Sequence, residues 1–331
     1  MASTTSRRPT LTLFYRRILR ILASPSIGPL IALVLAGLFF YSQNDRFLQP
    51  INLSLILQQT SWIAVMAIGQ TLIILTGGID LSSGLVMAFG TVIMTKFAVV
   101  YGFDPIISIA AGFAVTMLFG LVNGLLITQL RLPPFIVTLG TLNIAFALTR
   151  LVATTTISGL PPAQLIFGER LDLLGTTFTL GSLFVFVLYL FMWFFLRETA
   201  FGRHIYAIGG DSEAARLMGI PVNRVLILVY VTAGFFYGVA GWILVGRIGS
   251  GDPNAGQTAN LDSITAVVIG GTSLFGGRGN ILGTLVGAII VGVFINGLQI
   301  TGVDPLFQRL ITGVLVILAV ALDQLSQRFR K

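Results

Sequence analysis

The sequence predicts an all-α polytopic membrane protein, a bundle of about ten transmembrane helices with both termini in the cytoplasm. Three observations carry that prediction. Of 331 residues, 55% are hydrophobic and only 10% charged, against roughly a quarter charged in a soluble domain. Apolar runs such as IGPLIALVLAGLFFY, LGSLFVFVLYLFMWFFL and LITGVLVILAVAL approach the about 20 residues that a helix needs to cross the hydrocarbon core. They are continuous rather than alternating, which does not fit an outer-membrane barrel. Arginine, finally, collects in alternate inter-span segments, as the positive-inside rule requires of a threaded chain.

Taken in order, residues 1–23 carry Arg7, Arg8, Arg16, Arg17 and Arg20 with no acid before Asp45. They read as an uncleaved cytoplasmic tail, because the apolar run comes too late after SRRPTLTLF, and too many spans follow, for a twin-arginine signal. A transmembrane domain over 24–325 follows, with spans expected at 24–43, 53–76, 81–101, 105–128, 135–155, 178–196, 225–246, 261–276, 281–302 and 306–325. Residues 156–178 face outward, 197–224 face the cytoplasm, and 326–331 form a short cytoplasmic tail. This threading puts Arg131, Arg197, Arg203, Arg216, Arg224, Arg278, Arg328, Arg330 and Lys331 on the side of the N-terminal arginines. Only Arg46, Lys96, Arg150, Arg170, Arg247 and Arg309 fall opposite. An odd number of crossings would scramble that asymmetry. Much of the glycine lies inside spans, as in TAGFFYGVAGWILVG, where small residues let helix backbones approach closely.

Composition removes several function classes. Cysteine is absent, which excludes disulfides, thiolate metal sites and cysteine nucleophiles. The lone histidine, His204, reads as solvated or interfacial, since no partner constellation accompanies it. The net charge of +8 follows membrane topology and is not interleaved with aromatics as in a nucleic-acid surface. Neither Lys96 nor Lys331 lies in a G-x-x-x-x-G-K-[ST] loop, so the chain does not hydrolyse ATP by a P-loop mechanism. The spans lack charge at their centres, with Asp80, Asp104, Asp262, Asp304 and Asp323 expected at span ends. That weakens an ion-coupled carrier without eliminating it. No channel filter, catalytic motif or metal-ligand set is visible.

Two short stretches stand out. In GGDSEAARLMGIPV a glycine turn precedes Asp211 and Ser212 as candidate N-caps, EAARLM forms a helix, Gly219 ends it and Pro221 follows. Glu213 near the start and Arg216 one turn later suit the helix dipole. Such a helix is too short to stand alone and needs a partner, within this chain or outside it. In TLIILTGGIDLSSG, Gly77, Gly78 and Asp80 interrupt an apolar run. Two readings stay open: a cytoplasmic turn in which Asp80 or Ser82 caps the next helix, or a re-entrant break lining a pathway. Gly270 and Gly271, in IGGTSLFGGRGN, occupy the analogous place after the eighth span, so both turns are candidates for one gate.

Together with PPFIVTLGTLNIAFALTR, FGRHIYAIGGDSEAARLMGIPVNR and AVVIGGTSLFGGRGNILGTLVGAII, these stretches, in this order, resemble the monosaccharide permeases of bacterial ATP-binding-cassette importers, of the ribose, xylose and fructose type. The resemblance covers about 50–325 and is specific as a set. It implies a non-enzymatic, multi-pass permease of the bacterial inner membrane, paired as a homodimer. A separate ATPase subunit would hold ATP and magnesium, this chain having no cofactor, and a periplasmic sugar-binding protein would deliver the cargo. It further implies that Asp211, Glu213, Arg216, Gly219, Ile220 and Pro221 form the element on which the ATPase docks. No sugar contact carries over. By chemistry, uncharged hydrogen-bonding groups suit a neutral sugar, which makes Asn123, Thr138, Thr141, Asn143 and Asn296, with Trp62 and Trp242, pathway candidates; each type also packs helices. The alternative reading is an ion-coupled secondary sugar carrier working alone.

Overall fold

The computed structural model describes residues 27–173 and 175–328; the expected tail at 1–23 and the final residues 329–331 lie outside them. In chain order the elements are α1 (Ile27–Gln43), α2 (Pro50–Leu75), α3 (Ser83–Val99), α4 (Pro105–Gln129), α5 (Pro134–Val152), a short α6 (Pro162–Leu165) with a 3-10 turn, and a hairpin of β1 (Arg170–Leu173) and β2 (Thr176–Thr179). There follow α7 (Leu180–Glu198), α8 (Ala200–Gly210), α9 (Ser212–Leu217), α10 (Val222–Ile248), α11 (Ala259–Ile269), α12 (Ile281–Ile300) and α13 (Pro305–Arg328). Each of the ten expected spans contains a helix among the described residues. Among the described residues α2, α4, α5, α7, α10 and α12 are long and apolar enough to cross a membrane, with α1, α3 and α11 shorter.

Local chemistry sets the helix starts. Proline opens α2, α4 and α5, where its missing N–H costs nothing. Asp104 caps α4 by accepting from the Ile106 amide at 2.8 Å, and Asn280 caps α12 by accepting from the Leu282 amide at 3.0 Å. Burial then sorts the helices. In α2, α10 and α12, 61% of the most apolar window is buried, against 28% in α4 and α5, so the first three form the core and the others the rim. Val34, Leu35 and Phe39 of α1, Ile106 and Leu118 of α4, and Val187, Leu190 and Phe194 of α7 lie exposed, an apolar belt suited to lipid.

Two features depart from a bundle of full-length helices. The segment expected to face outward contains the hairpin, in antiparallel register from Arg170 opposite Thr179 to Leu173 opposite Thr176. It is tied to α2 by Ser54 and Gln58, both donating to the Thr177 carbonyl. The eighth span is a half-helix: α11 has 11 residues, about 16 Å at 1.5 Å per residue, half the hydrocarbon thickness. The chain before it runs back into the bundle, from Gly251 against Thr95 to Gly256 against Gly84. There the starts of α3 and α11 meet so closely that a Cβ on Gly84 would overlap the Gly256 carbonyl. The hydropathy of TSLF beyond Ile269 made this span look longer than its helix.

Candidate functional site

Three stations lie along the bundle. The first is the break between α2 and α3. Asp80 is 2% exposed, and the segment is no solvent turn. Gln70, about five residues before the end of α2, donates through Nε2 to the Asp80 carbonyl at 2.6 Å. Thr138 of α5 donates to the Ile79 carbonyl at 3.1 Å, and Asn260 of α11 donates to the Leu81 carbonyl at 3.0 Å. Three consecutive carbonyls are thus each held by a different helix, which is how non-helical backbone survives among apolar helices. The Asp80 carboxylate accepts from the Ser82 amide at 2.8 Å, the Ser82 hydroxyl at 2.6 Å and the Tyr237 hydroxyl at 3.0 Å. Asn123 of α4 donates to the Ser82 hydroxyl at 3.3 Å. The carboxylate has no basic partner among the described residues; it sits at the N-terminus of α3, where the helix dipole favours negative charge. Asp262, 8% exposed and in the first turn of α11, stands likewise at the second buried N-terminus. Both acids were expected at span ends; the helices simply begin inside the bundle.

The second station is the junction beneath the break. The Gly277 amide donates to the Leu75 carbonyl at 2.9 Å, and Gly209, at the end of α8, packs on both groups. Of the five gate candidates, Gly77, Gly78 and Asp80 lie in the break. Gly270 packs instead on Gly283 of α12, with Gly271 following it. The second glycine turn meets the break through Phe275, Gly276 and Gly277. Beside the break the Tyr230 hydroxyl and Asn123 Oδ1 are buried without a partner.

From this junction α8 leads to α9. Asp211 caps α9 by accepting from the Glu213 and Ala214 amides, each at 3.0 Å. Gly219, at φ 84°, ends it, with its amide on the Arg216 carbonyl at 2.9 Å and the Ile220 amide on the Ala215 carbonyl at 3.1 Å. Glu213 and Arg216 pair at 3.6 Å. Ala215 is fully buried, whereas Leu217 and Met218 are 87% and 72% exposed. This leaves two large apolar side chains uncovered on an otherwise well-capped polar helix.

The third station, toward the hairpin end, is a cavity of about 300 Å³. It is lined by Gln59, Trp62, Ile63, Asp262 and Ile295 inside, with Arg247, Gln257, Gln299 and Arg309 among its exposed lining residues. None of the five polar pathway candidates lines it. Asn123 and Thr138 serve the break, Thr141 bonds its own helix at the Val137 carbonyl, Asn143 is exposed, and Asn296 accepts from Asn52. Trp62 does line it, while Trp242 packs on Phe113 and Phe167. The missed residues left one signal, the run QQTSW at 58–62, an uncommon density of polar groups inside a span.

Residues 52–320 match the family described as branched-chain amino acid transport system / permease component. The chain belongs to this permease family. The permease is 45% identical over 309 residues to the fructose import permease FrcC of Rhizobium meliloti, covering 91% of this chain and 86% of that protein. It is 39% identical to the ribose import permease RbsC of Bacillus subtilis, over 90% of this chain and 92% of that one. To the galactose/methyl galactoside import permease MglC of Escherichia coli it is 35% identical, over 91% and 94%. The permease is accordingly a multi-pass membrane transport component and not an enzyme.

Proposed function

We propose that this permease is the membrane-spanning subunit of an ATP-driven importer of a monosaccharide, of the fructose, ribose or galactose kind. The observation that supports the cargo class is the 35% to 45% identity to sugar import permeases across nine-tenths of the chain. The cavity is compatible with that class, since amides, a carboxylate and an indole are among its lining groups. A binding protein delivers the sugar at the hairpin end. A separate ATPase works at the α9 end, which places both termini in the cytoplasm, and a second copy of the permease completes a homodimer. One permease domain spans 24–325, its coupling loop at 197–224.

In this reading the break at Gly77, Gly78 and Asp80, with the turn that starts at Gly270 and Gly271, is the inner gate. Closure of the ATPase pushes α9, α8 transmits the push to the Gly209 junction, and the break releases its three carbonyls. The unpartnered Tyr230 and Asn123 atoms supply alternative partners as it shifts.

Proteoliposomes containing permease, ATPase and binding protein are expected to accumulate radiolabelled fructose, ribose or galactose only with internal ATP, and not leucine. Accumulation by the permease alone on an ion gradient would establish the secondary carrier instead. Changing Leu217 or Met218 to glutamate is expected to cut co-purification of the ATPase about tenfold, the effect of removing an apolar hot spot, with the amount of folded permease unchanged. Retained co-purification would remove α9 as the docking element.

A further inference from the structure

The cavity contains more than space. Gln59 Oε1 and Trp62 Nε1, both on α2, are buried without a hydrogen-bond partner. Asp262 lines the same cavity and has no ion pair. Nor do Arg247 and Arg309, since the ion pairs among the described residues are Arg197–Glu198 and Arg216–Glu213. Its wall therefore includes an indole, an amide and a carboxylate beneath a basic rim, with the unpaired Trp62 N–H and Gln59 oxygen buried within that wall. Buried polar atoms are nearly always satisfied, by protein, by water or by a ligand.

We propose that this cavity is a solute-binding site of the permease itself, in which Trp62, Gln59 and Asp262 recognise the hydroxyl groups of a neutral monosaccharide. The proposal rests on the sugar-import reading above and deepens it, because it assigns selection to the membrane subunit and not only to a binding protein. The chemistry is specific. A hydroxyl both donates and accepts, so neighbouring hydroxyls on one ring satisfy the Asp262 carboxylate and, once the two side chains turn toward the cavity, the Trp62 N–H and the Gln59 oxygen together. A carboxylate ligand would meet Asp262 as a like charge in the interior and would pair only with Arg247 and Arg309 at the exposed rim. An ammonium leaves the Trp62 donor unpaired. The volume of about 300 Å³ equals roughly ten waters of liquid, enough for one sugar ring and too little for an oligosaccharide. Sites that hydrogen-bond a solute discriminate strongly against analogues lacking the group, because their own buried atoms are then stranded.

Asp262 stands two residues after Asn260, which holds the Leu81 carbonyl of the break. One turn of α11 thus touches both the solute site and the gate.

The test uses the complete importer in ATP-loaded proteoliposomes. Gln59→Leu and Asp262→Asn are expected to lower uptake about tenfold and to change the rate ratio among D-fructose, D-ribose and D-galactose delivered by the same binding protein. A purely structural role would lower all three rates in parallel. In parallel, tryptophan emission of wild-type permease in detergent is titrated with each sugar and with leucine. A saturable change with transported sugar, absent in Trp62→Phe, supports the site even where the other variants fail to assemble. Unaltered rate ratios in assembled variants, or no Trp62-dependent response to sugar, overturn the proposal. A wild-type importer that moves no sugar overturns instead the reading beneath it.

Discussion

Alanine at position 209 lowers sugar uptake by about tenfold or more, whereas alanine at Gly210 leaves it within about twofold; this contrast is the largest effect expected from a single methyl group here. The reason is geometric. A Cβ on Gly209 would overlap the Leu75 carbonyl oxygen and the Gly277 amide, and these are backbone atoms that cannot rotate aside. The two strands of chain must separate, and the Gly277-to-Leu75 hydrogen bond lengthens with them. On Gly210 a Cβ meets nothing within 4 Å. Overpacking of this kind costs about 1–3 kcal/mol, and it falls where α8 meets the break, so on the proposed coupling route motion started at α9 is lost there. Uptake by the reconstituted importer, beside ATPase co-purification, reads this directly. Uptake is expected to fall while docking persists. Equal activity of the two variants would mean that the push does not travel through this junction.

The second large effect is expected at Asp80. Asp80→Ala strands the Ser82 amide and hydroxyl donors in a buried site and leaves the Tyr237 hydroxyl only Gln70 Oε1, and each of the three loses a hydrogen bond to the carboxylate. At about 1.5–3 kcal/mol per such bond, with partial relaxation, the loss is roughly 3 kcal/mol or more. The thermal midpoint in detergent is expected to drop by roughly 5–10 °C, with uptake falling in step. Asp80→Asn is milder. Its oxygen keeps the Ser82 donors, and its amide donates to the Tyr237 hydroxyl, which turns toward Gln70 Oε1 at 3.3 Å. What it loses is the charge at the start of α3, so a midpoint between wild type and alanine is expected. An alanine variant as stable as wild type would show that Asp80 does not hold the break.

Much of this was legible. Continuous apolar runs gave the membrane helices, six of them long enough to cross and α1, α3 and α11 shorter, because lipid demands a length that hydropathy measures directly. The α9 cap and stop were equally readable, since Asp211 and Gly219 act on amides and carbonyls within a few residues. The depth of Asp80 and Asp262 was not. A hydropathy window assigns a charged residue to a span end, whereas these two acids are stabilised by helix N-termini that lie inside the bundle only because the chain re-enters it. The cavity was hidden for a related reason. Asn123 and Thr138 are polar residues in spans, as a pathway requires, but the broken segment needed them first. Gln59 and Asp262 converge from helices some 200 positions apart, which no local pattern records.

On the proposed gate reading, the clamp on residues 79–81 bears on how little the protein leaks. A barrier held by one hydrogen bond opens whenever that bond breathes, and ions follow. Here the carbonyls answer to α2, α5 and α11 separately, so random opening requires three independent releases at once. At about 1 kcal/mol each, idle openings become rarer by roughly the product of three modest factors, on the order of a hundredfold. A gate so held would let a cell keep many copies in its membrane and still hold its ion gradients.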